Sequence, residues 1–379
     1  VRELKSDWTG RRVVYVIGGT FDYPRNRRIR AALELRGADV EVMQLNSRMG
    51  VRAKLLVLAG LLAPKNRYDA LVLGEFALQY APILRFVAAL TRSVFIVDWF
   101  VGLHETRVVD PGNSPRGVKP ALYRAADKFA ARFAHVLLTD TFPRAKMLDS
   151  LRSRADATLV LPVGSPEWAQ PTRQALERRP LKLLYYGNYV PLHGIDVILA
   201  ALASCRDAGH RLQLTLVGNS PRRAAAEFLV ESLGLQRVCQ FLDAVPEPDL
   251  APVIAEHDVV LGIFGTSEKA ATVIANKVWQ GLSSGRPVVT RESAALALLR
   301  PVTGDALIEI RMDESPTEAL VEVLATLDRE GLPKPSVDIS TQLEALVEAA
   351  FDDVLRNVAQ KIDQHEAFST GRRKACRKR

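Results

Sequence analysis

Cysteine is scarce in this 379-residue chain. Cys205, Cys239 and Cys376 stand far apart, with no CxxC and no Cys/His ligand spacing. That excludes a disulfide framework and a zinc site and leaves Cys205 and Cys239 as small buried hydrophobes. Long hydrophobic runs are missing too. The longest apolar stretches, 55–63 and 78–90, are too short or too broken by Gln79, Tyr80, Pro82 and Arg85 to supply the about 20 apolar residues that span a bilayer. Residues 1–8 carry Arg2, Glu3, Lys5 and Asp7 with no apolar run behind them, unlike a secretory signal, so a cytosolic protein is expected. No Asp-x-Asp triplet occurs.

What is present is an ordinary globular balance, 48% hydrophobic and 25% charged, over a length that suits roughly two domains. The formal charge is +8, but part of the excess lies in residues 371–379, a composition that predicts disorder. No aromatic-interleaved basic patch points to nucleic acid, and none is expected as a partner.

Short β-branched runs alternate with helical periodicity along the first half. Strands are predicted at residues 13–17, 40–45, 71–73, 94–98, 136–139 and 158–162, with helices over 25–36, 51–62, 79–91, 119–133 and 142–152. This alternation implies a parallel sheet covered on both faces, a Rossmann-like domain over 1–164. Residues 165–180, rich in Pro, Gln and Arg, read as a linker. The pattern restarts with strands at 181–186, 212–217, 238–242, 259–263 and 287–290. Helices are predicted near 195–202 and over 224–233, 248–257, 272–284 and 316–328, giving a second α/β domain over 181–340. Residues 341–362 hold a long amphipathic helix, at 343–360, expected to cross back to the first domain, and 363–379 form the basic tail. The fold class expected is α/β, two Rossmann-like domains facing across a cleft, with ligands at the carboxyl ends of the strands.

In the second domain the strand at 259–263 empties into Phe264-Gly265-Thr266-Ser267 before a helix, a turn whose amides suit a phosphate. In that helix Ile274, Val278 and Leu282 form an apolar stripe, while Lys277, Gln280 and Ser284 share another face. Lys277 suits a phosphate and Gln280 a ribose or sugar hydroxyl, although the spacing alone equally describes a solvated face. Lys269 beside Glu268 reads as a phosphate ligand or as a surface ion pair. His193 reads as an anion contact or as a surface histidine.

In the first domain Gly18-Gly19-Thr20 closes the first strand and precedes Arg25, Arg27, Arg28 and Arg30. The two glycines allow close approach of a phosphate or an acceptor, without being a GxGxxG turn. Asp98 ends a strand of buried type, and His104 and Glu105 lie on the loop beyond it, which makes Asp98 and His104 the catalytic candidates. Asp140 is a second carboxylate of the same kind.

The run Val273-Ile274-Ala275-Asn276-Lys277-Val278-Trp279-Gln280-Gly281-Leu282-Ser283-Ser284-Gly285-Arg286-Pro287-Val288-Val289 resembles the donor-binding helix, turn and strand of retaining glycosyltransferases of the GT-B type, family 4. So do Tyr186-Gly187-Asn188-Tyr189-Val190-Pro191-Leu192-His193-Gly194-Ile195 and Leu216-Val217-Gly218-Asn219. The resemblance covers most of 181–301 and is looser in the first half. It implies a nucleotide-diphosphate sugar donor held by Gly187, Asn188, His193, Gly218, Asn219, Gly265, Thr266, Lys269, Asn276, Lys277 and Gln280. It further implies transfer with retention to a glycan or lipid-linked acceptor, with no metal and no cofactor. His104 is the candidate for the family's histidine near the transferred sugar. The family commonly has two glutamates eight positions apart on this helix; here Thr272 and Gln280 occupy those places.

Arg48, Arg52, Lys54, Lys65 and Arg67 flank the apolar 55–63 stretch, a pattern that suits an anionic bilayer surface or a helix packed on its sheet. Two rival readings stay open at this stage, a nucleotide-sugar epimerase and a non-catalytic nucleotide-sugar or glycan-binding protein.

Overall fold

The computed structural model describes residues 8–19, 23–45, 49–63, 67–109, 113–152, 157–172, 180–313, 315–333 and 338–376. They divide into two units, one of Val1–Val163 with Glu348–Arg379 and the other of Gly164–Val347.

Unit 1 holds β1 (Arg12–Ile17), β2 (Asp39–Gln44), β3 (Ala70–Leu73), β4 (Val94–Asp98), β5 (Val136–Thr139) and β6 (Leu159–Val160), interleaved with α1 (Pro24–Leu35), α2 (Val51–Gly60), α3 (Ala81–Thr91), α4 (Val118–Phe133) and α5 (Phe142–Asp149). The strands are parallel in the order β2-β1-β3-β4-β5-β6. Val, Ile and Leu fill β1, β3, β4 and β5 because a parallel sheet is covered on both faces and leaves its central strands no wet side. Pro24 opens α1, where its missing N–H costs nothing, and Gly37 at φ +88° turns the chain out after it.

Unit 2 holds β7 (Leu181–Tyr186), β8 (Leu212–Val217), β9 (Cys239–Leu242), β10 (Val259–Leu261), β11 (Val288–Arg291) and β12 (Leu307–Ile310), with α6 (Ile195–Asp207), α7 (Arg223–Ser232), α8 (Leu250–Ala255), α9 (Asn276–Ser283), α10 (Arg300–Thr303) and α11 (Pro316–Glu330). Its sheet is parallel too, in the order β12-β11-β10-β7-β8-β9. Its core gathers Tyr185, Leu199, Leu216, Phe264 and Leu324 between sheet and helices.

Four expectations need correction. Strand β12 was not foreseen, because Leu307-Ile308-Glu309-Ile310 is too short to stand out until β11 offers it a partner. Helix α9 starts at Asn276 and not at 272, since the preceding turn is closed by Ala271 and Thr272 amides bonded to Ser267, Glu268 and Lys269 carbonyls. The start of the expected linker, 165–172, packs on unit 2: the Ser165 hydroxyl donates to the Trp279 carbonyl at 3.0 Å and Arg286 donates to Thr172. Residues 173–179 of that linker lie outside the described residues. The last helix, α12 (Ile339–Cys376), runs through most of the expected disordered tail, which leaves no glycine or proline before Gly371 to stop it. From Glu348 onward it belongs to unit 1, as expected of a crossing helix. There Leu355 O accepts from the Trp8 indole at 3.1 Å, Asp363 pairs with Arg11 at 2.7 Å, Glu348 pairs with Arg28 at 3.1 Å, and Asp352 pairs with Arg36.

Candidate functional site

In each sheet the strand order reverses beside the first strand, so the loops at the carboxyl ends of neighbouring strands diverge there and open a crevice. In unit 2 that point lies between β7 and β10. Strand β7 is followed by Gly187, whose φ of +134° only glycine takes easily. Beside it Gly218 (φ +146°) closes β8 so tightly that a methyl there would sit 2.2 Å from the Gly187 carbonyl oxygen. After Gly187 the chain turns at Pro191–His193 into α6, and this turn lies against the end of β10. Phe264 donates its amide to His193 O at 3.1 Å, and Gly265 donates to Leu192 O at 3.1 Å.

Lys277, in the first turn of α9, reaches into this junction. Its ammonium lies 4.2 Å from the Tyr185 ring centre, close to Gly187, is buried, and has no hydrogen-bond acceptor. Burial pulls its pKa down to about 7. His193 stands beside it with Nδ1 2.7 Å from the Tyr185 hydroxyl. Burial, and then the charges of Lys277 and Lys269, push His193 well below the ordinary histidine range, against a hydrogen bond at Asn188 that raises it. The site therefore holds one buried amine, Lys277 Nζ, that no protein acceptor satisfies and whose charged form an anion would favour.

Gly187, His193, Gly218, Gly265 and Lys277 are thus brought together, with Asn276 opening the helix and Lys269 near enough to act on His193. Asn188, Asn219 and Thr266 are exposed at the rim, Asn219 accepting from Arg223 at 3.0 Å. The free amide expected at Gly265 is not available. It is spent on Leu192, and the Gly265 carbonyl accepts from Arg291 at 2.5 Å. The solvated face allowed for Lys277, Gln280 and Ser284 is buried, since β10 and β11 cover one side of α9 and Ser165 and Pro171 approach the other. The Gln280 amide is held at both ends, its oxygen accepting from the Tyr186 hydroxyl at 3.0 Å and its nitrogen donating to Glu247 at 3.4 Å. Sequence distance hid Glu247. Thr272 donates to the Lys269 and Glu268 carbonyls, closing the turn before α9.

In unit 1 the catalytic expectation for Asp98 meets a different geometry. Arg25 clamps both its oxygens at 2.7 and 2.8 Å and donates to Leu161 O at 2.7 Å, all buried, so Asp98 and Arg25 neutralise each other. Arg28 is likewise engaged, by Glu348, so these two of the four arginines do not form an anion cluster. His104 precedes a π-helical turn, Glu105–Val109, and its backbone amide caps on Asp127 at 2.9 Å. Its Nε2 is buried without a partner, and burial followed by Arg124 lowers its pKa. Asp140 is buried near Arg144 and Arg25; burial raises its pKa and the two arginines oppose that. Gly18 and Gly19 follow β1 as expected, while Thr20 lies outside the described residues.

Glu75, just beyond β3, was missed altogether. It is fully buried beside Gly18 and Gly19, and burial, with Asp98 adding to the rise, pushes its pKa up to about 8 against the hydrogen bonds that its own backbone and the Asn26 side chain offer its carboxyl. In sequence it is one glutamate in an otherwise apolar segment, and that placement is the signal that could have found it. Among the described residues no group of three or more His, Cys, Asp or Glu side chains could hold a metal ion, and no helix is long and apolar enough to cross a membrane.

Residues 180–326 match the glycosyl transferases group 1 family model. This segment contains every element of the β7–β10 junction, Lys277 included. Among curated proteins no relative matches the sequence. Solved structures align over nearly the whole chain. HepE from Anabaena, in complex with UDP and glucose, is 16% identical with a TM-score of 0.63, covering 95% of this chain and 99% of that one. Sucrose-phosphate synthase from Thermosynechococcus elongatus gives 15% and 0.66, covering 92% and 98%. WaaG, a glycosyltransferase involved in lipopolysaccharide biosynthesis, gives 17% and 0.61, covering 92% and 99%. At these identities the likeness shows the fold: the two Rossmann-like units are those of GT-B proteins.

Proposed function

We propose that the chain is a glycosyltransferase that draws on a nucleoside-diphosphate sugar bound at the β7–β10 junction, transferring with retention and without a metal to a glycan or lipid-linked acceptor. One observation carries the reading: the buried, acceptor-less ammonium of Lys277 at the first turn of α9, beside Gly187 and His193. A diphosphate supplies the missing oxygens, lies against the helix N-terminus, and gains negative charge as the sugar departs, where fixed donors stabilise it most. The group 1 match over this segment and the UDP complex of HepE, a protein of the same fold, support that ligand class. Gln280 takes the place of a ribose-binding glutamate with Glu247 held against its amide, so a carboxylate still reaches that neighbourhood.

Calorimetry with UDP, GDP, ADP and dTDP, followed by assay of nucleoside diphosphate released from the matching sugars on acceptor addition, tests the proposal. Binding of none of the four, together with no release, removes it. Interconversion of the donor sugar without release would select an epimerase, and binding without either reaction a non-catalytic protein.

The lipid-linked form of the acceptor is favoured by Leu56 and Leu62, which are exposed close to Arg52 and Lys54, while Leu58 and Leu61 bury the opposite side of the segment. Arg48 and Lys65 of the same basic pattern lie outside the described residues. Flotation with anionic and with neutral liposomes checks it, and absence of the protein from both lipid fractions disposes of it.

A further inference from the structure

Helices α2, α3 and α4 cover one face of the unit 1 sheet, where Leu58 of α2, Leu84 of α3 and Ala130 of α4 lie in one core with Val14, Leu71 and Phe95 of the strands. The helices are neighbours as well. The Lys54 ammonium of α2 lies 5.7 Å from the ring centre of Tyr80, which leads into α3, and Arg85 Nε of α3 donates to Phe133 O of α4 at 3.1 Å. We infer that the outward side of this layer docks on an anionic lipid bilayer. The inference goes beyond the proposed function, which asks only the segment around Leu56 to meet a lipid-linked acceptor, and it holds for a soluble acceptor as well.

A helix packed on a sheet ordinarily turns polar residues to water. These helices do not. On α3 the residues opposite the buried Leu84 and Ala88 are Pro82, Phe86, Ala89 and Leu90, all exposed and none polar. On α4 the side opposite the buried Asp127 and Ala130 exposes Val118, Leu122, Ala125 and Phe133, and the half-buried Phe129 sets its ring centre 4.5 Å from that of Phe133. Helix α2 adds Ala53, Leu56 and Ala59. Leu56, Phe86, Leu90 and Leu122 are each more than half exposed. Single surface hydrophobes are ordinary, but an outward apolar stripe repeated on three neighbouring helices is the mark of an interaction surface.

The charge is equally one-sided. The three helices contain one carboxylate, Asp127, which is buried and accepts the amides of Leu103 and His104 at 2.7 and 2.9 Å. Arg52, Lys119, Arg124, Lys128 and Arg132 are exposed, and on α4 Lys119 borders the apolar stripe on one side while Arg124, Lys128 and Arg132 border it on the other. Phenylalanine and leucine between cations match the interface of a bilayer with acidic headgroups, since the apolar groups enter the acyl boundary while lysine and arginine reach the phosphates. A second copy offering the same face would oppose cation to cation. A soluble polyanion would satisfy the charge and leave Phe86, Leu90 and Leu122 in water.

Co-flotation of the full chain with vesicles of phosphatidylcholine alone, and of phosphatidylcholine and phosphatidylglycerol in equal parts, tests this. Wild type is expected in the lipid fraction of the acidic vesicles and not of the neutral ones. The triple variant Phe86→Gln, Leu90→Gln, Leu122→Gln and the double variant Lys128→Glu, Arg132→Glu are each expected to weaken partitioning about tenfold or more. Phe228→Gln, which changes an exposed phenylalanine of unit 2, should leave it unchanged. Melting temperature and UDP affinity are expected to match wild type in all three, because every substituted side chain is exposed. Absence of wild type from the acidic vesicles, or equal flotation with both kinds, overturns the inference. Partitioning kept by the triple variant overturns it too and assigns the surface to a soluble polyanion, and partitioning kept by the double variant, or lost as far by Phe228→Gln, does the same to the assigned face. Should the triple variant melt below wild type, the double variant decides. Failure of UDP to bind removes the donor reading and leaves flotation to decide this one.

Discussion

The ammonium of Lys277 faces the ring of Tyr185 at 4.2 Å and meets no hydrogen-bond acceptor. The ring face stabilises the charge, yet a buried amine with no acceptor is a cost to the fold that a ligand removes. Lys277→Met is therefore expected to raise the melting temperature while weakening UDP binding by about tenfold or more, roughly 1.4 kcal/mol per decade. Paired thermal melts and calorimetry check it; a variant that keeps UDP affinity removes Lys277 from the site.

The same group sets a proton linkage. With its pKa lowered from 10.5 to about 7, Lys277 is mostly neutral at pH 8 in the folded protein, and a bound diphosphate raises that pKa again. UDP binding at pH 8 is expected to take up close to one proton. Calorimetry in two buffers of different ionisation enthalpy measures the uptake, and Lys277→Met should abolish it.

Glu75 links stability to pH with the opposite sign to a salt-bridged acid. Its folded pKa lies near 8, above its unfolded value of 4.5, so between these pH values the folded state binds more protons than the unfolded one. Its contribution is most favourable below about pH 4.5, declines as pH rises toward 8, and is flat beyond. Glu75→Gln is expected to melt higher than wild type, by a margin that widens from pH 5 to pH 8 and amounts to at most a few kcal/mol. A constant margin across that range would refute the assignment.

Arg25 and Asp98 form a fully buried bidentate pair. Removing either partner strands the other charge, so Asp98→Asn or Arg25→Met is expected to cost about 3–5 kcal/mol in denaturant unfolding, with the double variant recovering a large part of it. If single variants unfold like wild type, the clamp has no structural weight, and a substrate role for Asp98 returns to consideration.

Gly218→Ala would place a methyl 2.2 Å from the Gly187 carbonyl at a φ of +146°. A loss of about 2 kcal/mol or more is expected, with a matching fall in UDP affinity because Gly187 must move away from Lys277. Melting and UDP titration of the one variant report both effects.

The period of the apolar residues was enough to place most strands and helices, because a parallel strand buried on both faces and an amphipathic helix each write a local pattern. Gly187 and Gly218 entered only through the resemblance of their loops to the family, and Lys277, on a helix expected from residue 272, came to stand in a first turn only because the structure starts that helix at Asn276. The length of α12 and the strand β12 were not legible, since each depends on a distant partner, Trp8, Arg11 and Arg36 for the one and β11 for the other.

For the site itself, the sequence by itself determined that a glycine turn, a lysine-bearing helix and a Gly285-Arg286-Pro287 exit follow one another in the second half, and that Gln280 stands where an acid is common. Only the tertiary structure decided which polar atoms end without partners. It spent the Gly265 amide on Leu192, paired Asp98 with Arg25, and left the Lys277 amine without an acceptor. Whether a buried donor or acceptor is satisfied depends on groups far away in the chain, and no periodicity carries that information.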